Sequence, residues 1–356
     1  MRCITNQCYF IVPYAKAVTL HYYLYRFDNL RIPRENLLNL VADVSPDGQY
    51  DSAIKNPDQR FGAFLAPLTS GRVTIATCAI YSAKIGLAVA IRYSLSRRAF
   101  SVTANGPEVL LLDYPSHQRQ LLPLLAKTYA MSFSANDMKM MYVKRTPETS
   151  KEIHVVSSRL KALLTWHNMR TLQECREACG GQGLKTENRV GHSKGDCDVQ
   201  TTFEGDNNVL MHQALFADYV SCKKRNKPFK GLGLEHMNSS RPVLPTQLTS
   251  SILRCSQFQS HQLSEDLSKA FAEKAILQGV WMLKPNYQLD VVGLVRSMYA
   301  LICTEEDPSF LRYGYLSRDN VGDVRREVSK LCRELRPHAL FLGPIAFNWV
   351  EANAWS

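Results

Sequence analysis

The chain has 356 residues, 45% of them hydrophobic and 21% charged, an ordinary globular composition with no internal repeat and no low-complexity tract. An excess of 43 Lys and Arg over 32 Asp and Glu gives a formal charge of +11, which favours anionic partners (phosphate-bearing small molecules, nucleic acid or acidic membranes) without choosing among them. The 10 cysteines form no C-x-x-C pair, so neither a zinc site nor a disulfide framework is signalled, and Cys175 and Cys179 read as packing thiols one helical turn apart.

The opening stretch MRCITNQCYFIVPYAKAVTL is apolar, but Pro13 and Lys16 interrupt it and no small-residue cleavage site follows, so it does not read as a secretory signal. FDNLRIPRENLL (27–38) has the alternation and the proline of a strand or sheet-edge segment. From about residue 62 the pattern changes to long helices. The first runs through GRVTIATCAIYSAKIGLAVAIRYSLSRRAF after Thr69 and Ser70, two good N-caps. Lys84 lies near the centre of its most apolar part, 73–91, which favours a helix buried in a bundle over a membrane span. The second, SHQRQLLPLLAKTYAMSFSANDMKMMYVKR, contains Pro123, which a helix tolerates only near its first turns or at a kink. The third opens at Ser150 and closes on Gly180 and Gly181, the residue type that ends helices with positive φ. A fourth starts around Asp206. Four apolar-striped helices with short connections predict an antiparallel bundle. A loop rich in Gly, Pro and Ser follows, and then shorter amphipathic helices near 262–279, 290–304 and 321–335 predict a second helical unit.

Most candidate chemistry reads as structure. The basic cluster KKRNKPFK (223–230) lacks aromatic interleaving and suits a solvated helix end. GLG at 231–233 is too short for a dinucleotide fingerprint, and Asn238 fits a glycosylation acceptor that means little without a secretory route. His154, His167 and His212 fall on helical stretches as packing or surface residues. Two elements remain, CGGQGL and TFEGDN. Taken alone, Glu204 is a helix-start acid, and Gly180, Gly181 and Gly183 are a helix stop and a turn.

Taken together and in order, FDNLRIPRENLL, IRYSLSRRAF, CREACGGQGL and DVQTTFEGDNNVL resemble the acyl-coenzyme A oxidases, relatives of the acyl-coenzyme A dehydrogenases, most of all the plant peroxisomal medium-chain type. The resemblance continues through YVSCKKRNKPFKGLGLEHMN and GYLSRDNVGDVRREVSKLC and covers residues 27 to about 356. It implies a mainly α chain built on the C-terminal helical bundle of that fold, with only a remnant of the middle β-domain. On that basis 1–26 is unassigned, 27–61 is the β-domain remnant and linker, and 62–225 is the FAD-binding and catalytic bundle. A linker at 226–261 then leads to a partly deleted C-terminal helical domain at 262–356. Only 26 residues precede FDNLRIPRENLL, so the resemblance also implies a chain shortened at its N-terminus.

By resemblance, Glu204 is the general base that removes the α-proton of a fatty acyl-coenzyme A, and Glu204 and Gly205 contact the substrate. A thioester α-proton is weakly acidic, so such a base works in a dry pocket where desolvation raises basicity. The family passes the β-hydride to FAD and returns the electrons to O2 as hydrogen peroxide. The resemblance assigns FAD contacts to Arg97, Phe100, Gln118, Cys179, Gly180, Gly181, Gln182, Gly183, Asp206 and Asn208, shared across a homodimer. It implies no metal, no nucleic acid and no membrane span, and a peroxisomal location, although the chain ends in AWS rather than an S-K-L address. The alternative expectation is a catalytically inactive paralogue that keeps the bundle as a dimerisation or interaction module.

Overall fold

The computed structural model describes residues 7–16, 19–28, 30–101, 103–146, 148–213, 261–281, 289–312 and 314–342, with side chains described from residue 30 on except at 261–264, 281, 289–290, 312 and 341–342. It divides into two compact units, Met1–Ser70 and Gly71–Ser356. The basic cluster 223–230, GLG, Asn238 and the C-terminal AWS lie outside the described residues.

In the first unit, β1 (Gln7–Lys16) and β2 (Thr19–Asp28) pair antiparallel from Gln7 opposite Asp28 to Lys16 opposite Thr19. Both strands are rich in the aromatic and β-branched residues that favour a pleated backbone. The strand expected over 27–38 therefore ends early, at Asp28, and Pro33 leads into a 3₁₀ turn at Arg34–Asn36. β2 ends where its partner does, since Asp28 pairs with Gln7, the first residue of β1. A second small pair, β3 (Asp43–Val44) with β4 (Tyr50–Asp51), precedes α1 (Pro57–Leu65). Asn56 caps α1 by accepting from the backbone N–H groups of Asp58 and Gln59.

The second unit is mainly α. Helix α2 (Pro67–Ser96) begins two residues before the expected Thr69 cap, because Pro67 occupies a first-turn position whose missing N–H costs nothing. Its apolar stretch is long enough to cross a membrane by length and composition, yet more than half of it is buried in the protein, and Lys84 donates to Ser132 Oγ at 2.7 Å. A short hairpin, β5 (Arg98–Ser101) with β6 (Glu108–Leu110), leads to α3 (Pro115–Val143), where Pro123 is buried in the third turn. Helix α4 (Ser150–Ala178) ends as expected, with Cys179 as C-cap and Gly180 at φ +56°. After α5 (Val190–Asp198) the chain turns through 199–206 and is helical again at 207–213, with Asp206 Oδ1 accepting from Asn208 N and Val209 N.

The C-terminal helices α6 (His261–Trp281), α7 (Leu289–Glu306) and α8 (Arg318–Leu335) all pack on α3. One hydrophobic cluster joins Leu87 and Ile91 of α2, Leu121 and Leu125 of α3, Cys175 of α4, Met298 of α7 and Leu331 of α8. Another joins Ile80, Met131, Leu164, Ile276 and Tyr299. Burying each such side chain contributes about 1.5–3 kcal/mol, so α2 to α4 and α6 to α8 stabilise one another through common cores.

Candidate active site

Glu204 sits on the turn between α5 and the helical residues 207–213, in the left-handed region at φ +58°, followed by Gly205 at φ +116°. A non-glycine residue there costs about 1–2 kcal/mol, so surrounding contacts must hold it. They do so from two helices. Arg72, buried near the start of α2, donates through Nε to the Glu204 carbonyl oxygen at 2.9 Å. Its Nη1 donates to Ser158 Oγ at 3.2 Å and lies 3.3 Å from His154 Nδ1. Burial, and then the nearby Arg72, lowers the His154 pKa, which leaves a neutral ring whose Nδ1 can accept. Lys161, fully buried in α4, donates to the Gly205 carbonyl at 2.8 Å and to Asn207 Oδ1 at 2.9 Å. Asn207 Nδ2 in turn donates to Thr165 Oγ1 at 2.9 Å and the Ala162 carbonyl at 3.3 Å.

The carboxylate itself lies against Gly71. A Cβ at position 71 would stand 2.6 to 2.8 Å from the Glu204 carboxyl carbon and oxygens, so glycine leaves the space the carboxylate occupies. Glu204 Oε2 is buried and has no hydrogen-bond partner among the described residues. An unsatisfied buried carboxylate oxygen is rare in a folded chain and suits an acceptor that waits for a proton.

A second group of residues assembles at the far end of α4. Tyr93 and Arg97 from the end of α2, His117 and Gln120 from α3, and Cys179 to Gln182 line a cleft of about 640 Å³. Here the structure brings together Arg97, Cys179, Gly180, Gly181 and Gln182. A Cβ on Gly180 or Gly181 would meet nothing within 4 Å, so their backbone is open to a ligand. Gly183 is buried behind them. Phe100 on β5 is 83% exposed, and Gln118 is buried within α3 next to the cleft residue His117. Asp206 is half-buried at the Glu204 turn and Asn208 is exposed beside it.

The two groups are not brought together within one chain. Lys161, beneath the Glu204 turn, and Ala178, at the cleft, are 17 residues apart on α4, which is about 25 Å of helix. The sequence reading missed Gly71, Arg72, Ser158, Lys161 and Asn207. A signal for the α4 members was present: His154, Ser158, Lys161, Thr165 and Asn168 recur at spacings of four and three, forming a polar stripe on an otherwise buried helix.

Comparison with known proteins adds descent to this geometry. The family model of the acyl-CoA oxidase C-alpha1 domain matches residues 65–217, and a further acyl-CoA oxidase model matches residues 254–343. The chain is 72% identical to acyl-coenzyme A oxidase 3, peroxisomal, of Arabidopsis thaliana, over 93% of its own length and 57% of that protein's. It thus spans little more than half of that relative. It is 56% identical to a further protein of the same plant described as an acyl-coenzyme A oxidase, over 33% of this chain and 90% of that one. Among solved structures, acyl-coA oxidase3 from Yarrowia lipolytica superposes with a TM-score of 0.78 at 26% identity, covering 97% of this chain and 57% of that one. Acyl-CoA oxidase-1 of Caenorhabditis elegans, solved with FAD and ATP, has the same fold with a TM-score of 0.71 at 21% identity, covering 91% of this chain and 53% of that one. With one family model matching the stretch that holds both the Glu204 turn and the α4 cleft, a second matching the C-terminal helices, and a 56% identical relative covered over 90% of its length, this chain belongs to the acyl-CoA oxidase family.

Proposed function

We propose that this chain acts as an acyl-CoA oxidase subunit in peroxisomal fatty-acid β-oxidation, converting a fatty acyl-coenzyme A to the trans-2-enoyl thioester with reduction of O2 to hydrogen peroxide. The observation that carries the proposal is the Glu204 carboxylate, held over Gly71 with a buried oxygen that no side chain among the described residues satisfies. In this reading Glu204 takes the α-proton, and Gly205 beside it lies against the substrate. Its left-handed backbone, fixed through Arg72, keeps the carboxylate from rotating away between turnovers. The peroxisomal location follows the name of the 72% identical relative.

The residues present fit FAD. A guanidinium at Arg97 beside the open backbone of Gly180 and Gly181 suits a pyrophosphate, with Cys179 and Gln182 in the same cleft. The family resemblance adds Gln118, Gly183 and Phe100 to this end of the cofactor and Asp206 and Asn208, beside Glu204, to the reacting end. When bound, FAD supplies the hydride acceptor that no side chain can replace. The separation of about 25 Å along α4 supports a homodimer in which Arg97 of one subunit serves the site whose base is Glu204 of the other. The net charge of +11 is compatible with both phosphate-rich ligands.

The test is the visible spectrum of the purified chain with FAD, followed by anaerobic octanoyl-coenzyme A. The wild type is expected to bleach, and Glu204→Gln to bleach about 10²- to 10⁴-fold more slowly, the usual contribution of a general base. Equal rates would remove Glu204 from the chemistry. One observation favours a second reading, an inactive partner for other oxidase subunits: Leu38 is 89% and Leu40 98% exposed, with Leu30 and Ile32 also open. Absence of bound flavin together with co-purification of a full-length relative would put that reading first.

A further inference from the structure

Lysine is among the costliest residues to enclose, because its charge loses hydration. Lys161 is nevertheless fully buried, between the apolar neighbours Leu160 and Leu164 on α4. An aliphatic side chain would fill the same space without desolvating a charge. What the ammonium adds is direction. Its two acceptors, the Gly205 carbonyl at 2.8 Å and Asn207 Oδ1 at 2.9 Å, lie immediately after the residue whose carboxylate must be aimed. A peptide unit is rigid, so a fixed Gly205 carbonyl fixes the whole plane joining Gly205 to Asp206. Asn207 is anchored a second time through Thr165 and Ala162, so the downstream end of the turn cannot swing either.

We infer that Lys161 is a positioning residue for Glu204, holding the 204–207 turn in the left-handed geometry that places the carboxylate over Gly71. The inference rests on the reading of Glu204 as the base and goes beyond it by assigning the device that aims it. The charged groups around the ammonium are Asp206 and Glu204 of the turn and Arg72 of α2. Burial lowers the Lys161 pKa from 10.5 to about 8 against the attraction of the two acids, with Arg72 adding repulsion. Opening the turn would hydrate Lys161 and return its proton affinity toward the ordinary value. Between about 8 and 10.5 the closed turn then binds fewer protons than the open one, so rising pH favours closure.

Backbone hydrogen exchange of the full chain, corrected for the intrinsic rate, reads this without flavin or substrate. Lys161→Met is expected to lower protection over residues 203–210 at least about tenfold, the net loss of its hydrogen bonds to the Gly205 carbonyl and Asn207 Oδ1, while α3 stays unchanged. Lys161→Arg is expected to restore it. In the wild type, protection of 203–210 relative to α3 is expected to rise as pH passes through about 8, and in Lys161→Arg it should not. Unchanged protection in Lys161→Met, or an equal loss throughout α3, would overturn the assignment. If Lys161→Met does not fold, Lys161→Gln is read in its place, and unchanged protection of 203–210 there overturns the assignment. A failure here leaves the oxidase reading intact, whereas normal bleaching by Glu204→Gln would sink that reading and leave the hold of Lys161 on the turn measurable.

Discussion

Glu204 is a left-handed residue in a position that glycine would occupy at lower cost, and its neighbour Gly71 is a helical residue where alanine would be the better helix former. Each departs from local preference in favour of the other. Gly71→Ala therefore gives a sharp expectation. The new methyl would meet the far end of a flexible side chain, so the fold survives and the carboxylate moves. Flavin reduction by octanoyl-coenzyme A is expected to slow by up to about 10²-fold, the effect of a displacement near 1 Å, with little change in thermal midpoint. A stopped-flow trace matching the wild type would show that the Gly71 contact does not aim the base. The base candidate was legible only through the ordered motifs that resemble the family, since Glu204 taken alone reads as a helix-start acid. Its holders were not, because Arg72, Lys161 and Asn207 become neighbours only across separations of up to 132 residues.

At the scale of elements, α8 carries its own start signal. Ser317 Oγ accepts from Asn320 N, and Asn320 Oδ1 accepts from Ser317 N, a reciprocal cap on a helix that buries Val328, Leu331, Cys332 and Leu335. Ser317→Ala is expected to destabilise the second unit by about 1 kcal/mol, read as a shift in the urea midpoint. A second tie joins three helices: Glu306 of α7 pairs with Lys127 of α3 and, at 2.7 Å, with Arg170 of α4. Burial pushes the Glu306 carboxyl up, but Lys127 and Arg170 outweigh it and hold its pKa below the ordinary 4.5. The folded state thus binds this proton less readily than the unfolded chain. The stabilisation is complete above the ordinary value and is lost as pH falls through the lower folded one. Urea titrations on either side of that window should show the acid-labile part disappear in Glu306→Gln. The helices α2 to α4 and α6 to α8 were largely readable from apolar spacing and from Ser, Gly and Pro, whereas α5 was not foreseen and the first helix ends at Ser96, before the β5 strand that takes the expected RRAF end. The strand expected at 27–38 was misplaced because β1 and β2 find their partners in each other, a pairing that composition alone does not specify.

For the molecule as a whole, the proposed dimer makes a prediction that neither site makes alone. Arg97→Ala and Glu204→Gln each remove one member of a site built from two subunits. Mixing the two variants by unfolding and refolding together should restore roughly one quarter of the sites, since half of the dimers are mixed and each has one intact site. No recovery of flavin bleaching would place Arg97 and Glu204 in the same subunit's site or remove Arg97 from cofactor binding. By itself, the order of motifs in the chain determined the family, the mainly α class and the candidate base, because short-range patterns of charge, glycine and apolar periodicity survive in the linear text. Only the tertiary structure decided that Arg97 and the Cys179–Gln182 segment share a cleft, that this cleft lies about 25 Å along α4 from the Glu204 turn, and that a buried lysine holds that turn. The physical reason is that these relations depend on which helix faces meet in the packed core, and local periodicity says that a face is buried without saying against what.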